Sequence, residues 1–204
     1  MKVLDYLHAK QPLTAELRDC LSAELNYLDI RKRQYLLRPG RVPTSIYFVE
    51  NGLLMLGYVI DDKSISASFS FEGEICACPG FFSQVSMLYS IQALEDSSVS
   101  YIQFHQYRNL IHLFPEFNSV CRRLLEECRD AEYKRMRAIW MHPTQARYQW
   151  YKQYRPADYH RIPGKYLASY LGMSTVQLSN LRNTPMSKKW LLLIVRWAQN
   201  PFIV

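Results

Sequence analysis

The segment from Gly164 to Asn183 reads Gly-Lys-Tyr-Leu-Ala-Ser-Tyr-Leu-Gly-Met-Ser-Thr-Val-Gln-Leu-Ser-Asn-Leu-Arg-Asn. Two helices that cross closely need a small residue at the crossing, a glycine in the turn for a left-handed backbone, and apolar residues pinning the second helix to the first. Ala168 meets the first requirement, Gly172 the second, and Leu167, Leu171, Met173, Leu178 and Leu181 the third. Ser174, followed three residues later by Gln177, has the spacing of a capping box that starts the second helix. That helix is expected to turn Thr175, Val176, Gln177, Ser179 and Asn180 outward, with Arg182, Lys188 and Lys189 downstream. The chemistry on offer is that of a groove reader. Gln177 and Asn180 amides can pair bidentately with adenine edges, Thr175 or Val176 can touch a thymine methyl, and the cations can meet phosphates. With the capping Ser174, these are the candidate contacts to double-stranded DNA. The competing reading is a pair of core helices in a bundle that binds nothing.

The charge distribution favours the first reading. From residue 142 onward there are nine Lys and Arg (Arg147, Lys152, Arg155, Arg161, Lys165, Arg182, Lys188, Lys189, Arg196) against Asp158 alone, a net +8. The preceding 141 residues carry −1, so the +7 of the whole chain resides in its last third. A phosphate backbone selects such a tail, because each neutralised phosphate releases condensed counterions. Tyr148, Trp150, Tyr151 and Tyr154, interleaved with Arg147 and Lys152, could be taken for a stacking platform for single strands, but their spacing suits the core of a supporting helix better.

Other chemistries are poorly served. No nucleophile, base and orienting acid occur together, and no glycine loop could cradle a phosphate. The five cysteines (Cys20, Cys76, Cys78, Cys121, Cys128) form no Cys-x-x-Cys pair and read as reduced, buried thiols. Cys76 and Cys78 are too few and too close for an iron–sulfur cluster, and His8, His105, His112, His142 and His160 sit in no haem-binding or metal-binding motif. An enzyme and a metal site are therefore not expected.

The elements that must position the DNA-reading segment are legible from periodicity. Leu13, Leu17, Leu21, Leu25 and Leu28 predict a helix across residues 12 to 37. Beyond Pro39-Gly40, the runs Ser45 to Val49 and Leu53 to Val59 flank Glu50-Asn51-Gly52 and predict a β-hairpin. Residues 64 to 71 alternate, with Ile65, Ala67, Phe69 and Phe71 on one face and Ser64, Ser66, Ser68 and Ser70 on the other, as in a half-buried strand. Strands are also expected at Tyr89 to Leu94 and Val99 to Phe104, around Glu95-Asp96-Ser97-Ser98. A helix without internal Gly or Pro spans Pro115 to Met141, about 40 Å at the helical rise. Its stripe of Phe117, Val120, Cys121, Leu124, Cys128 and Ala131 suits a seam between two parallel helices, or else packing on its own domain. His142-Pro143-Thr144 breaks the helix and marks a domain boundary. No apolar run approaches a membrane span and Met1-Lys2-Val3-Leu4-Asp5 lacks the layout of a secretory signal, so a cytoplasmic location is expected.

These pieces, in order, resemble the Crp/Fnr superfamily of transcription regulators over roughly residues 10 to 185. The matching residues are Pro39-Gly40, Ile46 to Gly52, Phe71-Glu72-Gly73-Glu74, Ala93-Leu94-Glu95-Asp96, Ile162-Pro163 and Tyr166 to Met173. The resemblance implies an α+β chain: residues 1–114 as an antiparallel β-roll (jelly roll) of cyclic-nucleotide-binding type, 115–141 as a dimerisation helix, and 142–204 as a winged-helix-like helix-turn-helix domain. It further implies a homodimer through 115–141, double-stranded DNA and RNA polymerase as partners, and no membrane. The family's phosphate cassette would fall on Gly73, Glu74, Met87 and Leu88; the last two stand where an arginine and a small residue hold the cyclic phosphate. Burying a phosphate without its cation costs several kcal/mol, so cyclic AMP is not expected; the pocket would take another small effector or none. Val176 and Asn180 replace the usual acidic and arginine base readers, which alters the expected operator, and the apolar run Trp190 to Trp197 does not resemble a wing. A ligand-binding adaptor that keeps the fold without reading DNA is the alternative.

Overall fold

The computed structural model describes residues 2–60, 63–77 and 79–183. The chain divides into two compact units, Met1–Ala131 and Glu132–Val204, the division falling inside a long helix. Lys188, Lys189, Cys78 and the apolar run from Trp190 to Trp197 lie outside the described residues.

The first unit begins with helices α1 (Lys2–Lys10) and α2 (Ala15–Glu24). Eight strands follow: β1 (Asn26–Ile30), β2 (Tyr35–Leu37), β3 (Ser45–Asn51), β4 (Leu54–Ile60), β5 (Lys63–Ser70), β6 (Ile75–Cys76), β7 (Tyr89–Ala93) and β8 (Ser97–Gln103). They form two four-stranded antiparallel sheets, ordered β1-β8-β3-β6 and β2-β7-β4-β5. Between the sheets lie Ile30, Tyr47, Val49, Leu54, Leu56, Ile91 and Val99 with their neighbours, an apolar filling for the roll. Alternation along β3 sends Phe48 to the opposite face, where it packs with Leu17 and Leu21 of α2 and Leu110 of α3 (Phe104–Leu113).

Three expectations are corrected. The helix expected across 12 to 37 starts at the Thr14 cap, whose hydroxyl accepts from the Leu17 N–H, and stops at Glu24. Its last carbonyl, that of Glu24, accepts from Asn26 Nδ2 at 3.2 Å and from Gln106 Nε2 at 2.8 Å, while Leu25 is already extended. Leu28, which fits the helical spacing, pairs instead with Val99 in the sheet. The hairpin is a turn without a ladder. β3 and β4 flank Asn51-Gly52 as expected, but they belong to different sheets. Gly52, at φ +98°, donates its N–H to Glu72 and Leu53 donates to Ser97 Oγ, so side chains take the donors a hairpin would use. The serine face of β5 is not simply solvated. Ser66 and Ser70 are buried, donating to Met55 Sδ and the Ile75 carbonyl. A one-residue register shift against β4, where Leu56 faces Ser68 and Gly57 faces Ser66, turns Ser66 to the side opposite Ser68 and Ser70. A Cβ on Gly57 would lie 2.6 Å from the Ile65 carbonyl oxygen, so this close approach requires glycine.

α4 (Phe117–Met141) is the long helix, within the expected bounds. The stripe proposed as an intermolecular seam is used in part by its own unit. Phe117, Val120 and Cys121 are buried with α1, α2 and α3, whereas Cys128 and Ala131 are exposed. The second unit continues with α5 (Thr144–Tyr154), α6 (Gly164–Tyr170) and α7 (Thr175–Asn183). No helix among the described residues is long and apolar enough to cross a membrane.

Candidate nucleic-acid interface

α6 and α7 are joined by a turn in which every local donor has a partner. The Met173 N–H returns to the Ala168 carbonyl at 3.0 Å and the Gly172 N–H to the Ser169 carbonyl at 3.1 Å, the double closure of a Schellman motif. That closure puts the residue between them at positive φ, and Gly172 sits at +62°. The next residues start α7 by the reciprocal cap read from the sequence. Gln177 N–H donates to Ser174 Oγ at 3.1 Å, and Ser174 N–H donates to Gln177 Oε1 at 2.9 Å. Leu167, Ala168, Leu171 and Leu178 are buried.

With Leu178 turned in, Ser174, Thr175, Val176, Gln177, Ser179, Asn180 and Arg182 are all exposed, Val176 to 67%. These residues lie around most of α7 and present hydroxyl, methyl and amide groups, the kinds that discriminate base edges in a major groove. The Gln177 Oε1 that bidentate adenine pairing would need is taken by the Ser174 N–H, which corrects the role expected of that amide.

Arg147 of α5 has a role the sequence reading missed. Its Nη1 donates to the Leu171 carbonyl at 2.7 Å and the Gly172 carbonyl at 3.0 Å, and its Nη2 donates to Thr144 Oγ1. These carbonyls are left over when α6 ends, so the guanidinium completes the turn. Nothing local signals a contact 25 residues away, and the sequence shows Arg147 only as part of the basic tail and beside the aromatic residues of this helix. Other basic side chains of the unit also have internal partners: Arg161 with Asp158 at 3.5 Å, and Lys152, Arg155 and Lys165 over tyrosine rings. The aromatic group on α5 is mainly core, with Tyr148 and Tyr151 buried; Trp150 stacks on the exposed Tyr154 at 5.5 Å.

In the first unit, the cassette positions are separated in their roles. Gly73 takes φ +83° in the turn between β5 and β6, and Glu74 uses a carboxylate oxygen to accept the Phe71 N–H at 3.0 Å. Met87 lends its carbonyl to the Gly40 N–H and packs by Gly80, whereas the Leu88 side chain is 64% exposed. No charged residue occurs from Pro79 to Leu88. The loop is anchored by Phe81, which is fully buried against Phe82, Phe104 and Tyr107. Among the described residues no group of three or more His, Cys, Asp or Glu side chains is placed to hold a metal ion.

Residues 27–113 match the family model for the cyclic nucleotide-binding domain. Solved structures extend the likeness to both units. FixK2 from Bradyrhizobium japonicum is 14% identical with a TM-score of 0.67, over 78% of this chain and 83% of its own. The chain has the fold of the Crp/Fnr regulators. The c-di-GMP responsive global regulator CLP of Xanthomonas campestris is likewise 14% identical, TM-score 0.68, over 83% of this chain and 90% of its own. A CooA variant from Carboxydothermus hydrogenoformans is 16% identical, TM-score 0.65, over 87% and 81%. No curated protein matches by sequence. At these identities the Crp/Fnr likeness is one of architecture, and the roles of individual residues rest on the geometry above.

Proposed function

We propose that this protein is a transcription regulator that binds double-stranded DNA as a homodimer, with α7 entering the major groove. The observation that carries this reading is the exposed face of α7, capped at its start by Ser174 and Gln177 and pinned by Leu178. Selection of bound duplexes from genomic fragments, followed by anisotropy titration across salt concentrations, tests it. Binding is expected to weaken with salt and to prefer particular sequences. No sequence preference at any salt would overturn it and favour the ligand-binding adaptor. On a selected site, Asn180→Ala is expected to cost about 1–3 kcal/mol of affinity and to relax the preference at one base pair. Arg182→Gln should weaken all sequences alike and lower the salt slope by about one.

The dimer is assigned to α4. Leu125 in the first unit, and Tyr133, Met136 and Trp140 in the second, are exposed apolar residues on this helix, Trp140 to 74%. Their positions fall on one side of a helix with 3.6 residues per turn, about a third of a turn from the mean direction of Phe117, Val120 and Cys121. Burying this side against a second copy would present two α7 helices to successive major grooves, about 34 Å apart. The double variant Met136→Glu, Trp140→Glu is expected to move the protein from dimer to monomer in sedimentation or light scattering. A dimer that survives it would place the seam elsewhere.

Cyclic AMP is not the effector in this reading. Calorimetric titration with cyclic AMP should give no saturable heat, because Met87 and Leu88 supply no charge for the phosphate. A micromolar isotherm would sink that statement without touching the DNA reading. RNA polymerase is a further expected partner of such a regulator.

A further inference from the structure

Five cations, Arg31, Lys32, Arg33, Arg38 and Arg41, fall within eleven residues that contain no acid. Such a run is ordinarily a solvated face, but here two of its members, Arg33 and Arg38, line a concavity. The turn joining β1 to β2 is closed by the Gln34 N–H on the Arg31 carbonyl and by the Arg31 N–H on Gln34 Oε1, both at 3.0 Å. It is then fastened to the segment around β7. Lys32 N–H donates to Asp96 at 2.7 Å, Arg33 N–H to the Ala93 carbonyl at 2.8 Å, and Gln92 Nε2 to the Arg33 carbonyl at 3.0 Å.

Arg33 is held at φ +72°, a region that glycine or asparagine would occupy at less cost. The turn's backbone is held by these hydrogen bonds, so the conformation fixes where the arginine side chain leaves the chain. That side chain lines a cleft of about 620 Å³ at the β1 and β2 edge of the roll, with Arg38, Tyr35, Tyr47, Tyr101 and Ser45. The volume is in the range of small-molecule sites. Arg38 lies over the Tyr35 ring at 5.0 Å, and among the described residues none of the five cations is in an ion pair. Two other cations of the unit, Lys10 and Arg18, are paired with Glu127 and Asp5.

We propose that this cleft binds a small multivalent oxyanion, a phosphate or carboxylate compound, held by Arg33 and Arg38 against the tyrosine rings. Guanidinium groups bind either headgroup bidentately, and unpaired cations around one concavity favour an anion with more than one charge. Asp29, the one acid in the lining, accepts a hydroxyl or N–H of the ligand. The concave shape favours a small molecule over an acidic protein surface. None of this depends on whether the second unit binds DNA.

The test is calorimetric titration of the full chain, at low ionic strength, with pyrophosphate and with citrate, the two arms separating phosphate from carboxylate sources. Saturable binding of one equivalent per chain is expected for at least one of them. Arg33→Asn, which tolerates the positive φ, and Arg38→Gln should each weaken it by about tenfold or more. Arg18→Gln, which alters a remote paired cation, should leave it unchanged, and melting curves confirm that each variant is folded. The proposal fails if neither anion saturates, if both cleft variants bind like the parent, or if polyglutamate binds where the small anions do not.

Discussion

Phe81→Ala is expected to destabilise the first unit by about 3–5 kcal/mol, the usual cost of emptying a fully buried aromatic site. Phe81 lies in a loop without regular secondary structure, yet it is the largest side chain with no exposure at all. Its ring meets Phe82 at 5.1 Å, Phe104 at 5.5 Å and Tyr107 at 5.6 Å in edge-on or near-perpendicular contacts. The same loop is held by Gln84, at φ +53°, whose amide nitrogen donates to the carbonyls of Pro43 and Phe81. Without the ring, those bonds must hold an uncovered backbone, and the loop should open before the sheets do. No tryptophan precedes Trp140, so the first unit carries none. Urea unfolding followed by far-ultraviolet circular dichroism should therefore shift, while the tryptophan fluorescence transition moves little. A dichroism midpoint unchanged by the variant would show that the loop is not anchored in this way.

Gly172→Ala should cost the second unit about 3 kcal/mol and weaken the proposed DNA binding. A non-glycine residue in the left-handed region costs about 1–2 kcal/mol. The added Cβ would also lie 2.9 Å from Arg147 Nη1, displacing a guanidinium whose charged hydrogen bonds are worth about 1.5–3 kcal/mol. The fluorescence transition reports this unit, and a double-mutant cycle separates the two terms. In an Arg147→Met background the clash is gone, so Gly172→Ala should then cost only the backbone term, about 1–2 kcal/mol. Equal costs in both backgrounds would mean that Arg147 does not hold the turn. Arg147→Met alone is expected to lower DNA affinity while leaving α7 helical, because it frees the carbonyls that fix where α7 starts.

The pair of helices α6 and α7 and the turn between them were legible because their determinants are local. The Schellman closure, the left-handed glycine and the reciprocal cap all act within a few residues, so their chemistry can be read from the letters themselves. The existence of most strands was legible for the same reason. What each strand pairs with was not. Asn51-Gly52 marks a tight turn correctly, but whether the flanking strands share a ladder depends on Glu72 and Ser97, which reach the turn from distant parts of the chain. The basic run 31–41 escaped notice because the charge sum over residues 1–141 masks it among 17 acids.

By itself the sequence determined the turn, the cap and the outward face of α7, the apolar alternation of the strands and the missing cation at Met87, since backbone conformation and side-chain charge are properties of neighbouring residues. Only the tertiary structure decided where α2 stops, which sheet receives β4, that Arg147 braces the turn, and that Arg33 and Arg38 line one cleft. Each of these is a contact between residues far apart in the chain, and the entropy of closing such loops is overcome only by the packing of the whole unit, which no local pattern encodes.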